Sequence, residues 1–437
     1  MLPRILIIGT VPYNKKATSR AFEAYFSKWD REKLAQIFSN TKTPVKGHCQ
    51  ELFQITDQRL VQRRFHHSLQ TGIIYHYEDL PEEWTDNSRE IEGGLYKKLY
   101  QFSAHKGPLT YLLRKIVWSR RYWCTPELNA WLDRFSPQCV FLSFSDDFFI
   151  PEIALYVAER YDIPIVSSIG DDYYFNDRFS LSPFYYLYRT AYKKLIRKVF
   201  AHGGSAIYIS DKIRDKYNAE FHLYGKTVYL TSEVQRKPFR PIAKDHPVIS
   251  YFGNIRQGRN ESLCQIADAL SRISDAFVLD VYTNQESSRD IDILMKNSNI
   301  RFHGSIPYSE VLKKTEESDI VVIVEGFQFS HIQNTRYSLS TKAADSLASG
   351  AQILVYGSPE CGVIEYMAGT NSAAVCTEKE KLEECIRHLI EDEQFQKENY
   401  LHAIEITERN HSLSSSTHIF SQVVEEAIAQ YANRKQF

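Results

Sequence analysis

The sequence predicts an α/β chain built as two parallel-sheet domains, and three observations carry that reading. Short apolar runs ending in glycine or paired carboxylates alternate with stretches of helical period between Arg4 and Gly170. The same rhythm restarts at Pro247-Val-Ile-Ser-Tyr-Phe-Gly253, after a charged segment, Glu233 to His246, that holds Pro238 and Pro241. The chain has 437 residues, more than one ordinary core organises. The expected boundaries are 1–232 for the first domain, 233–246 for a linker, 247–412 for the second domain and 413–437 for a closing helix.

In the first domain, Arg4-Ile-Leu-Ile-Ile-Gly9 reads as the opening buried strand, Thr10 to Arg20 as its loop, and Ala21 begins a helix. Phe135 to Ser145 and Ile163 to Gly170 are further strands, separated by a helical stretch with Pro151 in its first turn. These two strands end in Asp146-Asp147 and Asp171-Asp172. Ligands of open α/β sheets bind beyond the carboxyl ends of the strands, which makes Asp171 or Asp172 a candidate for gripping hydroxyls or acting as a base. For Asp146 and Asp147 the reading as caps of the next element is at least as natural. Ala206 to Tyr217 reads as a closing strand–helix pair and Val228 to Ser232 as a short strand. Residues 51–93 are polar and show no clear period.

Two stretches, Leu95–Cys124 and Phe184–Phe200, interleave Lys and Arg with Tyr, Trp, Phe and Leu and contain no acidic residue. Such segments suit an anionic bilayer surface, with cations at the head groups and rings at the interface. The plain alternative is a core-facing helix with a solvated basic back.

In the second domain the strands are expected at Pro247–Gly253, Phe277–Tyr282, Ile300–Gly304, Asp319–Gly326 and Ile353–Tyr356, with a helix from Leu263 to Ile273 and a polar loop from Phe327 to Tyr337. Ser338-Leu-Ser-Thr-Lys-Ala-Ala-Asp-Ser-Leu-Ala-Ser-Gly350 then forms a short helix, capped by Ser338 or Ser340 and ended by Gly350. Lys342 and Asp345 fall on one face near its start. A helix N-terminus attracts anions, and a lysine in its first turn adds a full charge. A carboxylate one turn on suits the two hydroxyls of a ribose, so the pair points to a nucleotide; the bland reading is an exposed Lys–Asp pair.

Ser340-Thr-Lys-Ala-Ala-Asp-Ser-Leu-Ala-Ser-Gly-Ala-Gln-Ile-Leu354 resembles the donor-site helix of GT-B glycosyltransferases, in particular the large retaining bacterial family 4, or group 1. The resemblance extends over the second half, through Gly253 with its loop, the His303-Gly304 turn and Pro359 to Cys376, and more weakly over the first. It implies two Rossmann-like domains facing across a cleft and a closing helix that crosses back. It also implies sugar transfer from a nucleotide donor to an acceptor hydroxyl, with retention and without a metal or cofactor. Within it, Gly253 lets the backbone approach the diphosphate beside Asn254, and Lys342 with Arg256 or Arg259 neutralises it. Ser340 and Thr341 start the donor helix, Asp345 holds the ribose, and His303 and Gly304 border the base. Glu325 stands at the cleft edge. Gly9, Thr10 and Arg20 face the acceptor, with Asp171 or Asp172 orienting it. Two positions depart from the pattern: Asn254 replaces the usual arginine after the glycine, and Tyr337 replaces the first of two glutamates.

The expected partners are a nucleotide-sugar, UDP-linked rather than GDP-linked, a glycan or lipid-linked acceptor, and an anionic membrane surface. The formal charge of −1 gives no global attraction to nucleic acid. Seven dispersed cysteines suggest reduced thiols in a cytoplasmic chain rather than disulfides or a zinc site. No signal peptide or membrane-spanning run is read in the sequence. The rival readings are a GT-A transferase with a metal at Asp171-Asp172, a nucleotide-sugar epimerase, a non-catalytic partner of another transferase, and a membrane scaffold.

Overall fold

The computed structural model describes residues 2–14, 18–83, 107–285 and 289–434. The chain divides into two compact units, with breaks between Val228 and Tyr229 and between Ser416 and Thr417; the last stretch rejoins the first unit. Lys15, Lys16 and the first part of the basic–aromatic stretch, residues 95–106, lie outside the described residues.

The first unit holds strands β1 (Ile5–Ile8), β2 (Leu34–Phe38), β3 (Glu51–Ile55), β4 (Gly72–His76), β5 (Cys139–Ser143), β6 (Ile165–Ile169), β7 (Gly204–Tyr208) and β8 (Lys226–Thr227). Their spatial order is β4-β3-β2-β1-β5-β6-β7-β8. All neighbours run parallel except β4, which is antiparallel to β3. Four fully buried residues, Ile5 to Ile8, make β1 a strand covered on both faces, as a central parallel strand must be. Between β1 and β5 the chain reverses its direction of travel across the sheet, which marks the place where such sheets bind ligands. Helix Leu413–Arg434 supplies Phe420, Val423, Val424 and Ala427 to this unit's core, against Phe26 and Phe141.

The second unit holds β9 (Ile249–Phe252), β10 (Leu279–Tyr282), β11 (Ile300–Gly304), β12 (Ile320–Val324), β13 (Gln352–Tyr356) and β14 (Ala374–Cys376). The order β11-β10-β9-β12-β13-β14 is parallel throughout. It repeats the strand order of dinucleotide-binding folds, with the switch point between β9 and β12.

Several local expectations need correction. Val228–Ser232, expected as a strand, is not one: the strand falls just before it, at Lys226–Thr227, the residues that pair with β7. Residues 233–246 carry no regular structure but are packed rather than free: the Lys237 N–H donates to the Ser349 carbonyl at 2.9 Å, and Ile242 is buried in the second core. The helix expected from Leu263 begins at Arg259, and the loop after Phe327 contains the helix Phe329–Thr335.

Within the second unit, His411 is enclosed. Its Nδ1 donates to the Leu230 carbonyl at 2.8 Å, and its Nε2 accepts from the Tyr366 hydroxyl at 2.7 Å. Burial pulls its pKa down from 6.5 to about 4, with the Leu230 contact working the other way. The folded state therefore binds fewer protons than the unfolded state between those values. Stability is full above about pH 6.5 and falls as the pH drops toward 4, by up to about 3 kcal/mol. Urea unfolding at pH 7 and pH 5 reads this directly; the His411→Gln chain should lose most of the difference.

Candidate functional site

The second unit gathers its charged side chains at the carboxyl ends of β9, β12 and the turn after β13. Lys342 is the centre. Ser340 caps the helix Thr341–Ser349, its hydroxyl accepting from the Lys342 N–H at 3.3 Å, and Gly350 ends it in the left-handed conformation. This places the Lys342 side chain, partly buried, across the end of β9. Its Nζ donates to the Tyr251 hydroxyl at 3.3 Å and lies 4.7 Å over the centre of that ring. Gly253 makes the approach possible. A Cβ there would fall 1.7 Å from Lys342 Nζ, and its φ of +142° is one that L side chains rarely adopt.

The ammonium has no carboxylate within ion-pair distance among the described residues. Burial, and then repulsion from Arg259, pull its pKa down from 10.5 to about 7, against the opposing pull of Glu325. Arg259 opens the helix Arg259–Ile273, and its Nη2 donates to Glu325 Oε1 at 2.8 Å. Glu325 follows β12 and is buried; its Oε2 meets no donor. Two cations thus face one carboxylate at the switch point, beside the N-terminus of the Lys342 helix. The arrangement is built to accept an anion.

The structure brings Gly253, Lys342, Arg259 and Glu325 together and leaves Arg256 exposed. The Asn254 side chain accepts from the Arg256 N–H at 2.7 Å, and the Tyr251 hydroxyl donates to the Asn254 carbonyl at 2.5 Å. Asp345, one turn beyond Lys342, accepts from the Ser232 hydroxyl at 2.6 Å. Thr341 is exposed at the helix start. His303 is tied sideways, 2.6 Å from Asp280 and stacked on Tyr282 at 4.4 Å, so the turn at Gly304 presents backbone rather than imidazole. Tyr251, on which the lysine rests, and Ser232 escaped the sequence reading. Tyr251 sits inside a fully buried strand, and Ser232 lies far away along the chain.

In the first unit, Gly9 follows β1 with a φ of +92°, and a Cβ there would fall 2.4 Å from the Ser143 carbonyl oxygen. The Thr10 carbonyl accepts from Gln36 Nε2 at 2.7 Å, and Arg20 lies in the first turn of the helix Ser19–Phe26. Asp172 accepts from the Phe175 N–H at 2.8 Å and the Tyr217 hydroxyl at 3.0 Å, a turn-forming role. Asp171 beside it is exposed. Asp147 accepts both its bonds from Arg114 at 2.7 Å, and the same guanidinium reaches Asp57 at 2.9 Å.

That pairing revises the basic–aromatic stretches. Arg114 is held by acids from other elements, Trp118 and Trp123 are buried, and Arg189 bridges Asp177 and the carbonyls of Tyr173 and Tyr174. The helix Pro108–Val117 exposes Leu109, Leu113 and Ile116, and the helix Pro183–His202 exposes Phe184 and Leu187 in its first half and Lys194, Arg197 and Lys198 in its second. No helix among the described residues is long and apolar enough to cross a membrane. No three His, Cys, Asp or Glu among them come together as metal ligands.

No protein-family model matches the chain, and no curated protein sequence does. Solved structures do. Anabaena HepE in complex with UDP aligns over 97% of this chain and 100% of its own, with a TM-score of 0.57 and 10% identity. Sucrose-phosphate synthase from Thermosynechococcus elongatus aligns over 98% and 100%, at 0.56 and 11%. WaaG, a glycosyltransferase involved in lipopolysaccharide biosynthesis, aligns over 98% and 99%, at 0.51 and 10%. With two parallel-dominated sheets matched along the whole chain, this protein has the GT-B fold.

Proposed function

We propose that the chain is a glycosyltransferase that moves a sugar from a nucleotide-sugar to an acceptor hydroxyl. The observation that carries this reading is the uncompensated Lys342 ammonium against Gly253, with Arg259 beside it, at the switch point of a nucleotide-type sheet. The difficult event is departure of a diphosphate from the anomeric carbon, which builds negative charge on the leaving oxygens. Lys342, Arg259 and the N–H groups at the start of the Lys342 helix are preplaced for that charge, so the reaction runs without a metal. Asp345 takes the ribose, and the backbone at His303-Gly304 borders the base. A UDP-linked donor is favoured by the UDP complex of HepE, and retention by the resemblance in the donor helix.

The acceptor is a glycan or lipid-linked intermediate, handled by the first unit at the loop after β1 (Gly9, Thr10 and Arg20) with Asp171. The exposed apolar stripe of Leu109, Leu113, Ile116, Phe184 and Leu187, followed along the helix Pro183–His202 by Lys194, Arg197 and Lys198, supports docking on an anionic bilayer. Sedimentation with vesicles tests it. Binding should need anionic lipid and fall about tenfold or more in the Leu113→Ser/Leu187→Ser chain, since each loses most of a buried side chain's transfer energy. Equal recovery with neutral vesicles, or no loss in the variant, speaks against the surface.

For the reaction itself, thermal unfolding with UDP, GDP, ADP and CMP is the test. A ligand at a hundredfold excess over its Kd stabilises by about 2.7 kcal/mol. One nucleoside diphosphate should raise the Tm, its glycosylated form should be turned over when acceptor is supplied, and a chelator should leave the rate unchanged. No shift with any nucleotide contradicts the reading.

A further inference from the structure

The carboxyl end of β14 carries two thiols that the nucleotide site does not use. Cys376 is the last residue of that strand, and β14 is an edge of its sheet. Cys385 lies in the first half of the helix Leu382–Glu391, which packs on β14. Both side chains join the core of the second unit, Cys376 buried within it and Cys385 half-buried at its border. Residues 378–381, between the strand and the helix, are exposed, so the strand end approaches solvent. There the two sulfurs meet. The Cys385 S–H donates to the Cys376 sulfur, and Cys376 Sγ in turn donates to the Glu378 carbonyl at 3.0 Å. The contact with Cys385 pulls the Cys376 thiol down to about 7 against the effect of burial, and the same contact pushes Cys385 up. The first unit's buried thiols differ: burial pushes Cys49 and Cys139 each up to about 12.

We propose that Cys376 and Cys385 are a peroxide-oxidised thiol pair, Cys376 attacking and Cys385 resolving, which closes to a disulfide that thiol reductants reopen. The thiolate is the nucleophile toward peroxides, and a thiol already hydrogen-bonded to it is placed to finish the reaction. In the first step the Cys376 thiolate attacks one peroxide oxygen. An S–O bond forms, the O–O bond breaks, and the departing alkoxide or hydroxide takes up the proton that Cys376 gave up. In the second step the Cys385 sulfur attacks the sulfenic sulfur. The S–S bond forms, the S–O bond breaks, and hydroxide leaves with the Cys385 proton as water. Two thiols have supplied two electrons, and the hydroperoxide has become an alcohol, or water, plus a second water. The disulfide closes over the eight residues 377–384 and ties the helix Leu382–Glu391 to the edge strand. It also keeps Cys376 from passing on to the irreversible sulfinic acid. This chemistry is independent of the nucleotide site.

Brief treatment of the reduced full chain with hydrogen peroxide at pH 7, a block with N-ethylmaleimide and peptide mapping without reductant test this. The expected product is a peptide joined at Cys376 and Cys385, which dithiothreitol separates. Cys376 should be oxidised about a hundredfold or more faster than Cys49 or Cys139, because thiolate is the reactive form and theirs is scarce at pH 7. Its rate should rise with pH up to about pH 8 and then level off. In Cys385→Ser, dimedone should label Cys376 as the trapped sulfenic acid, and without dimedone the sulfinic acid should accumulate. The map of the parent chain decides the pairing even where the serine variant folds poorly. Alkylation of both Cys376 and Cys385 while other cysteines are oxidised overturns the proposal, and so does a disulfide from Cys376 to any other cysteine. The same selectivity in a urea-unfolded chain also overturns it, since the fold would then contribute nothing.

Discussion

Replacing Lys342 by methionine is expected to abolish nucleotide binding and at the same time to make the chain more stable. The two effects have one cause. Lys342 is a partly buried cation whose neighbours are a tyrosine ring, a glycine and another cation, and burial leads the forces that pull its pKa down to about 7. A methionine of similar length fills the space without that penalty, and relief of this kind adds about 1–2 kcal/mol in functional sites. The lost cation removes a preplaced partner for the leaving diphosphate, at a cost of about a hundredfold to a thousandfold in rate. Affinity in the parent chain should also depend on pH with a definite sign. Lys342 is half-charged near pH 7 when the site is empty, and a bound diphosphate raises its pKa, so binding takes up a proton. Affinity is greatest below pH 7 and falls above it, by up to about tenfold per unit. Titrations from pH 6 to pH 9 check the slope, which Lys342→Met should lack.

Gly253→Ala is expected to be as damaging without touching a charge. The added methyl would stand 1.7 Å from Lys342 Nζ and 2.1 Å from Cε, so the lysine must leave the end of β9. The backbone must also hold a φ of +142° with a side chain attached, a conformation that costs about 1–3 kcal/mol outside glycine. The expected outcome is a Tm lowered by several degrees together with loss of the nucleotide-induced shift. A chain that tolerates alanine there and still binds would show that the lysine does not need the glycine.

Strands whose faces are both covered by apolar side chains, such as Ile5–Ile8 and Ile320–Val324, announce themselves as unbroken runs. β2 and β3 do not, because each carries a buried glutamine. Gln36 donates to the Thr10 carbonyl and Gln54 to the Asn40 carbonyl, and those bonds let a polar residue occupy a core position. The helix Phe329–Thr335 was hidden by its polar composition. In the site, Lys342 and Gly253 were legible because cap, cation and glycine are local signals. The partner of Arg259 was not, since Glu325 lies 66 positions away in the chain and only the sheet order brings them together. The counter-charges of the basic–aromatic stretches, Asp57, Asp147 and Asp177, lie outside those stretches and were illegible for the same reason.

The most direct measurement is a crystal structure of the chain with bound UDP. The β-phosphate is expected at the end of β9, within hydrogen-bond reach of Lys342 Nζ and the Gly253 backbone, with Arg259 turned toward it. UDP bound elsewhere, or Lys342 still resting on Tyr251 with that position empty at saturating ligand, would contradict it.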